Sequence, residues 1–108
     1  MSDIVFLYVT APDPQTARQI ARTLITEKLA ACVNISAPMT SIYEWDGAIE
    51  ETAETAMIVK TTAAAVEPAR DRIIALHPYE TPCIAALPIS AHGSAPAFLD
   101  WVAQATNP

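Results

Sequence analysis

Ser41-Ile42-Tyr43-Glu44-Trp45-Asp46-Gly47-Ala48-Ile49-Glu50-Glu51 decides the fold of this chain. Asp46-Gly47 is a strong signal for a two-residue β-hairpin turn. Working outward from it, one strand runs back over residues 31–43 and the other forward over Ala48–Thr62. Alternation places Cys32, Asn34 and Ser36 on one face of the first strand, with Val33, Ile35 and Ala37 on the other. Pro38 cannot donate a ladder hydrogen bond, so that strand lies at an edge or is bulged there. In the second strand Met57, Val59 and Thr61 alternate with Ile58 and Lys60.

Before the hairpin, residues 4–9 are apolar throughout, which predicts a central strand buried on both faces. Asp13 is a helix cap and Pro14 suits the first helical position, with Thr10 as an alternative start. Ala17, Ile20, Ala21, Leu24 and Lys28 then recur at helical spacing. After the hairpin, Val66, Ala69, Ile73 and Leu76 form a second helical stripe, with Pro68 in its first turn and Pro78 as its stop. Residues 83–89 form a last edge strand, and Ser94-Ala95-Pro96 opens a helix carrying Phe98, Leu99, Trp101 and Val102. The fold class is therefore α+β: a ferredoxin-like βαββαβ sandwich with a long central hairpin and a C-terminal helix. Right-handed crossovers put the first and third strands at the centre and the second and fourth at the edges. Cys32 and Cys83 then lie on opposite edges, too far apart for an internal disulfide.

The chain has 108 residues, which fits one domain over residues 1–108. Hydrophobic residues make up 52% and charged residues 17%, so a core can form. A net charge of -6 with only six Lys and Arg argues against nucleic acid and anionic membranes as partners. Residues 2–9 have no basic leader, and their apolar run is too short for a signal peptide or a membrane span. A cytoplasmic location is the expectation. The hairpin tip, with Ile42, Tyr43 and Trp45, projects beyond the helices and calls for a partner subunit; a trimer is the simplest ring, and a dimer satisfies the same pattern.

Glu-Lys-Leu-Ala-Ala-Cys-Val-Asn-Ile (27–35), the hairpin stretch 41–51, Lys60-Thr61-Thr62, Leu76-His77-Pro78-Tyr79-Glu80-Thr81-Pro82 and Leu87-Pro88-Ile89 keep an order and spacing that resembles the CutA divalent-cation-tolerance proteins. The resemblance covers nearly the whole chain. It implies a ferredoxin-like subunit assembled as a tight homotrimer, and a role in tolerance of copper and other divalent metals without catalysis. A divalent cation such as copper is the implied ligand. The copper ligands proposed for an enterobacterial member are a cysteine near the end of the first strand and two adjacent histidines before Pro-Tyr. They fall here on Val9, Leu76 and His77, and only His77 retains a ligating group. The subunit plan also resembles the trimeric nitrogen-regulatory signal proteins, which implies the alternative of a small effector bound between subunits.

The residues support these readings unevenly. His77, at a helix end, is either a cap for carbonyls or the candidate metal ligand. His92 reads as a loop residue that a trimer would present in three copies. Cys32 is a small core side chain or a soft ligand in an intersubunit pocket, with Lys60 nearby to favour a thiolate. Lys60 needs a partner in its apolar strand, and Glu80 is the expected one, as an ion pair or as part of a pocket for a small anionic ligand. Tyr43, Trp45 and Tyr79 line that pocket or pack an interface. Cys83 stands where relatives of the family commonly carry an acidic residue, which makes it a poor candidate for a shared role. Glu44, Asp46, Glu50, Glu51 and Glu54 read as a solvated hairpin tip, with weak binding of hard cations as the sharper reading. Nothing resembles a nucleophile elbow, a phosphate-cradling glycine loop or a zinc-protease helix.

Overall fold

A computed structural model describes residues 3–107; residues 1, 2 and 108, part of the expected domain and N-terminal stretch, lie outside the described residues. The elements are β1 (Ile4–Ala11), α1 (Pro14–Thr26), β2 (Cys32–Ile35), β3 (Met39–Trp45), β4 (Ala48–Thr62), α2 (Val66–Leu76), β5 (Ile84–Pro88) and α3 (Pro96–Ala105). The antiparallel sheet runs β2-β4-β1-β5, with β3 paired to the far half of β4. β1 and β4 are central and β2 and β5 are edges, as the topology predicts. Among the described residues no helix is long and apolar enough to cross a membrane.

Alternation sets the two faces of the sheet. Leu7, Val9 and Ala11 of β1 and their partners Val59, Met57 and Thr55 of β4 face α1 and α2 and are fully buried. Ala17, Ile20, Leu24, Ala69 and Ile73 pack onto them from the helices. On the opposite face Leu99 and Val102 of α3 pack on Ile4 and Phe6 at one end, and Thr10 is buried at the other. Tyr8 and Ile58, beyond the reach of α3, are half-buried. This corrects the expectation that β1 is buried on both faces: a ten-residue helix is too short to cover the whole strand.

The strand expected over residues 31–43 is two strands. Pro38 removes a donor, and Ser36 N–H and Oγ bond the backbone of Ala56 instead, so pairing breaks between Ile35 and Met39. β4 continues through the break as one strand of 15 residues, paired with β2 over residues 57–60 and with β3 over residues 48–54. The tip turns as expected: Asp46 has φ 55° and Gly47 φ 80°, the left-handed pair of a type I′ turn. Lys28, assigned above to the helical stripe, lies outside it. It takes φ 59° at the end of α1, with Lys28 N–H on Ile25 O and Leu29 N–H returning 2.9 Å to Leu24 O, the pattern of a Schellman stop.

Asp13 caps α1 by accepting the Thr16 N–H at 2.7 Å, and this bond holds its carboxyl below the ordinary value of 3.8. A lowered pKa in the fold means that the carboxylate stabilises above 3.8 and loses that contribution as the pH falls through the folded value. Asp13→Ala is therefore expected to lower the melting temperature at pH 7, and the gap from the parent protein should narrow on going below pH 3.8. Parallel melts by circular dichroism check this; a gap that is constant with pH would refute the cap's charge dependence.

Candidate functional site

The residues that converge do so where the ribbon leaves the sheet. Counting from the turn, Trp45 pairs with Ala48, Tyr43 with Glu50 and Met39 with Glu54. Cross-strand partners share a face, so Tyr43, Trp45, Glu50 and Glu54 lie together, and Ile42, Glu44, Ile49 and Glu51 lie on the reverse. The first face closes one side of an open cleft of about 580 Å³. Thr10 of β1 forms its floor, and Tyr79, Glu80, Thr81 and Cys83, from the loop after α2, form its other wall.

His77 holds this loop in place. It caps α2 through its N–H on Ile73 O, and its buried ring bridges two backbone groups. Nε2 lies 2.8 Å from Thr10 O, which can only accept, and Nδ1 lies 3.1 Å from Tyr79 N, which can only donate. The tautomer is thereby fixed with hydrogen on Nε2. The ring also stacks at a tilt on Tyr79, with centroids 4.8 Å apart. His77 is thus a positioning residue for Tyr79, and neither ring nitrogen has a lone pair directed at the cleft. Among the described residues no group of three His, Cys, Asp or Glu side chains stands close enough to hold a metal ion.

Tyr79 Oη reaches Glu54 Oε2 at 3.4 Å, a long contact. Burial raises the phenol pKa above 10.0, and the negative charge of Glu54 raises it further. Tyr43 and Asp13 add smaller contributions of the same sign. Neither Glu54 nor Glu80 forms an ion pair among the described residues, and no Lys or Arg lines the cleft.

The expected pocket is therefore split. Tyr43, Trp45, Tyr79 and Glu80 share the cleft, but Cys32 and Lys60 do not. Lys60 pairs with Phe6, four residues along β1 from Thr10 and so about 13 Å away along the strand. Its ammonium stands 5.7 Å from the Phe6 ring centroid and 5.4 Å from that of Phe98 on α3. Two aromatic faces thus replace the expected Glu80 ion pair, since α3 brings a ring where the sequence shows no nearby acid. Cys32 lies beside Lys60 in register, half-buried, with Asn34 Nδ2 at 4.0 Å from its sulfur. Cys83, a free thiol like Cys32, lies in the cleft. Glu54 and Cys83 are the residues that sequence reasoning missed. The signal for Glu54 was present: counting forward along β4 from Asp46-Gly47 puts it on the Tyr43 face.

Known proteins resemble this chain throughout its length. The sequence profile of the CutA1 divalent ion tolerance protein family matches residues 5–105. The Divalent-cation tolerance protein CutA of Archaeoglobus fulgidus is 47% identical, over 90% of this chain and 92% of its own. The protein of the same name from Thermus thermophilus is 45% identical, over 99% of this chain and 100% of its own. The crystal structure of the divalent ion tolerance protein CutA1 from Ehrlichia chaffeensis superposes with a TM-score of 0.94 at 37% identity, covering 100% of this chain and 99% of that one.

Replacing Glu54 with Gln removes the carboxylate charge that ranks next after burial among the causes acting on Tyr79. Glu54→Gln is expected to move the Tyr79 titration down toward 10.0 without reaching it, because burial persists. In the parent protein the raised value means that stability linked to this phenol is complete below 10.0 and declines as the pH rises past it. Ultraviolet titration of phenolate absorbance, with Tyr79→Phe as the reference, reads both. An unchanged Tyr79 midpoint in Glu54→Gln would contradict the contact.

Proposed function

This chain belongs to the CutA1 divalent ion tolerance family, and from that premise we propose that it is a non-catalytic homotrimeric protein of the divalent-cation response that holds a small ligand in the ribbon cleft. The observation that carries the reading is the convergence of three aromatic rings, two carboxylates and a thiol from separate elements on one cleft of about 580 Å³. That size suits a small organic molecule.

A second reading is direct capture of a divalent cation such as copper. It is favoured by Glu54, Glu80 and Cys83 lining the same cleft, with donors from a neighbouring subunit completing the coordination. His77 has no place in it, since both its ring nitrogens are engaged.

The homotrimer is supported by uncovered apolar surface. Ile42 is 65% exposed and Ile49 78% exposed on the reverse face of the ribbon, and Leu87 on the open side of the sheet is 46% exposed. Surface of this kind is unstable in water and is removed by association. The protein should sediment at three times its chain mass of 11.6 kDa. Ile49→Asp should shift it to a lighter species and make its melting temperature lower and less dependent on protein concentration. A parent protein that sediments as a monomer would overturn the assembly.

The binding reading is tested by following melting temperature during titration with copper(II), zinc, and small organic acids and amines. A saturable rise is expected from one class, and it should be lost in the Glu54→Gln/Glu80→Gln double variant. A rise lost instead in Cys83→Ser, and given only by copper, would favour the second reading.

A further inference from the structure

We propose that the ribbon cleft is selective for an organic cation: an ammonium or guanidinium group on a small organic body. This rests on the reading of the cleft as a ligand site and names the class of its ligand.

The inference follows from what the cleft contains and what it lacks. Tyr43, Trp45 and Tyr79 line the cleft with aromatic rings, whose quadrupoles attract cations. Glu54 and Glu80 offer carboxylates with no basic partner among the described residues. None of the six Lys and Arg side chains lines the cleft. An anion entering here would meet like charge without compensation. A neutral ligand would leave both carboxylates without a charged partner and would displace water from the half-buried Glu54.

A bare metal ion fits less well than an organic cation. Metal ions need several donors converging on one point, and no such group of three stands among the described residues. The aromatic walls would contribute nothing to a hard ion, whereas they suit a diffuse cation with attached carbon. The contact between side chains across the cleft, Tyr79 Oη to Glu54 Oε2 at 3.4 Å, is long. A charged N–H donor would make a shorter and stronger bond to the same carboxylate. His77 fixes the backbone of Tyr79 from behind, so this wall is already formed before a ligand arrives.

The test uses the full chain carrying Trp101→Phe, which leaves Trp45 as the only indole of the two in the sequence. Trp45 emission is followed during titration with tetramethylammonium and with agmatine. Tert-butanol serves as the neutral isostere and citrate as the anion. Both cations should give saturable changes, and tert-butanol and citrate should give none. Glu54→Gln and Glu80→Gln should each weaken cation binding by about 5-fold, the scale of a partly exposed ion pair. Glu51→Gln, on the reverse face of the ribbon, should leave it unchanged, with circular dichroism verifying the fold of each variant. Saturable binding of citrate alone would overturn the cation assignment while leaving the ligand site standing. A cation response indifferent to both Gln substitutions would locate binding elsewhere and overturn the proposal. Silence from every probe, with no response in the wider titration series either, would remove the ligand site itself.

Discussion

The register of β4 is the constraint on which the rest depends. This strand spans 15 residues and belongs at once to the core sheet and to the projecting ribbon. At one end Met57 and Val59 must face the helices, where both are fully buried. At the other end the turn at Asp46 and Gly47 fixes the pairing with β3. A slip of one residue would reverse every side chain beyond it. Glu54 would leave the face of Tyr43 and Trp45, and the core would lose its central methionine and valine. The cleft's composition is thus tied to the packing of the core, two features that share no contact but share a strand.

The electrostatics of the molecule are divided in the same way. Three of the six basic groups are occupied away from the cleft. Arg72 grips Glu27 with Nε and Nη2 at 3.0–3.2 Å, tying α2 to the end of α1. Arg70 pairs with its own helix neighbours Asp71 and Glu67. Lys60 is drawn under α3 by two phenyl rings. What is left at the ribbon is acid without base. Pairs as exposed as those of Arg70 add little to stability. Their consequence here is distribution: they leave the cleft with a uniform sign.

Much of this was legible in the sequence, and the parts that were not share a cause. Strand order, the Asp13 cap, the Asp46-Gly47 turn and the stop at Pro78 each follow from local chemistry, and local chemistry is what a sequence displays. The break between β2 and β3 was signalled by Pro38, but whether a proline bulges a strand or ends it depends on what the partner strand does. Lys28 was misplaced because an apolar-stripe argument does not detect a left-handed stop at a non-glycine residue. The Lys60–Glu80 pair failed because it assumed that a buried cation must find an acid. Its partners are two rings, Phe6 on the neighbouring strand and Phe98 on a helix 38 residues further on, and only tertiary structure brings them together there. Glu54 was hidden in an acidic run that reads as solvated until the register separates its two faces.

That separation gives the ribbon two unlike faces, and under the assembly and binding proposed above they would suit unlike partners. The reverse face presents Ile42 and Ile49, which gain by contact with another apolar surface and nothing from a cation. The cleft face presents Glu54 among aromatic rings, and burying it under a neutral subunit surface would strand a carboxylate. A docking subunit therefore favours the isoleucine face, provided that Glu44 and Glu51 there keep a route to water or meet a basic group on the docking copy. Association through that face would leave the cleft face to its ligand. It would also stiffen the strand that holds Tyr43, Trp45 and Glu54 in position. Assembly and binding would then draw on opposite sides of one two-stranded element, and the rigidity that the first confers would lower the ordering cost of the second.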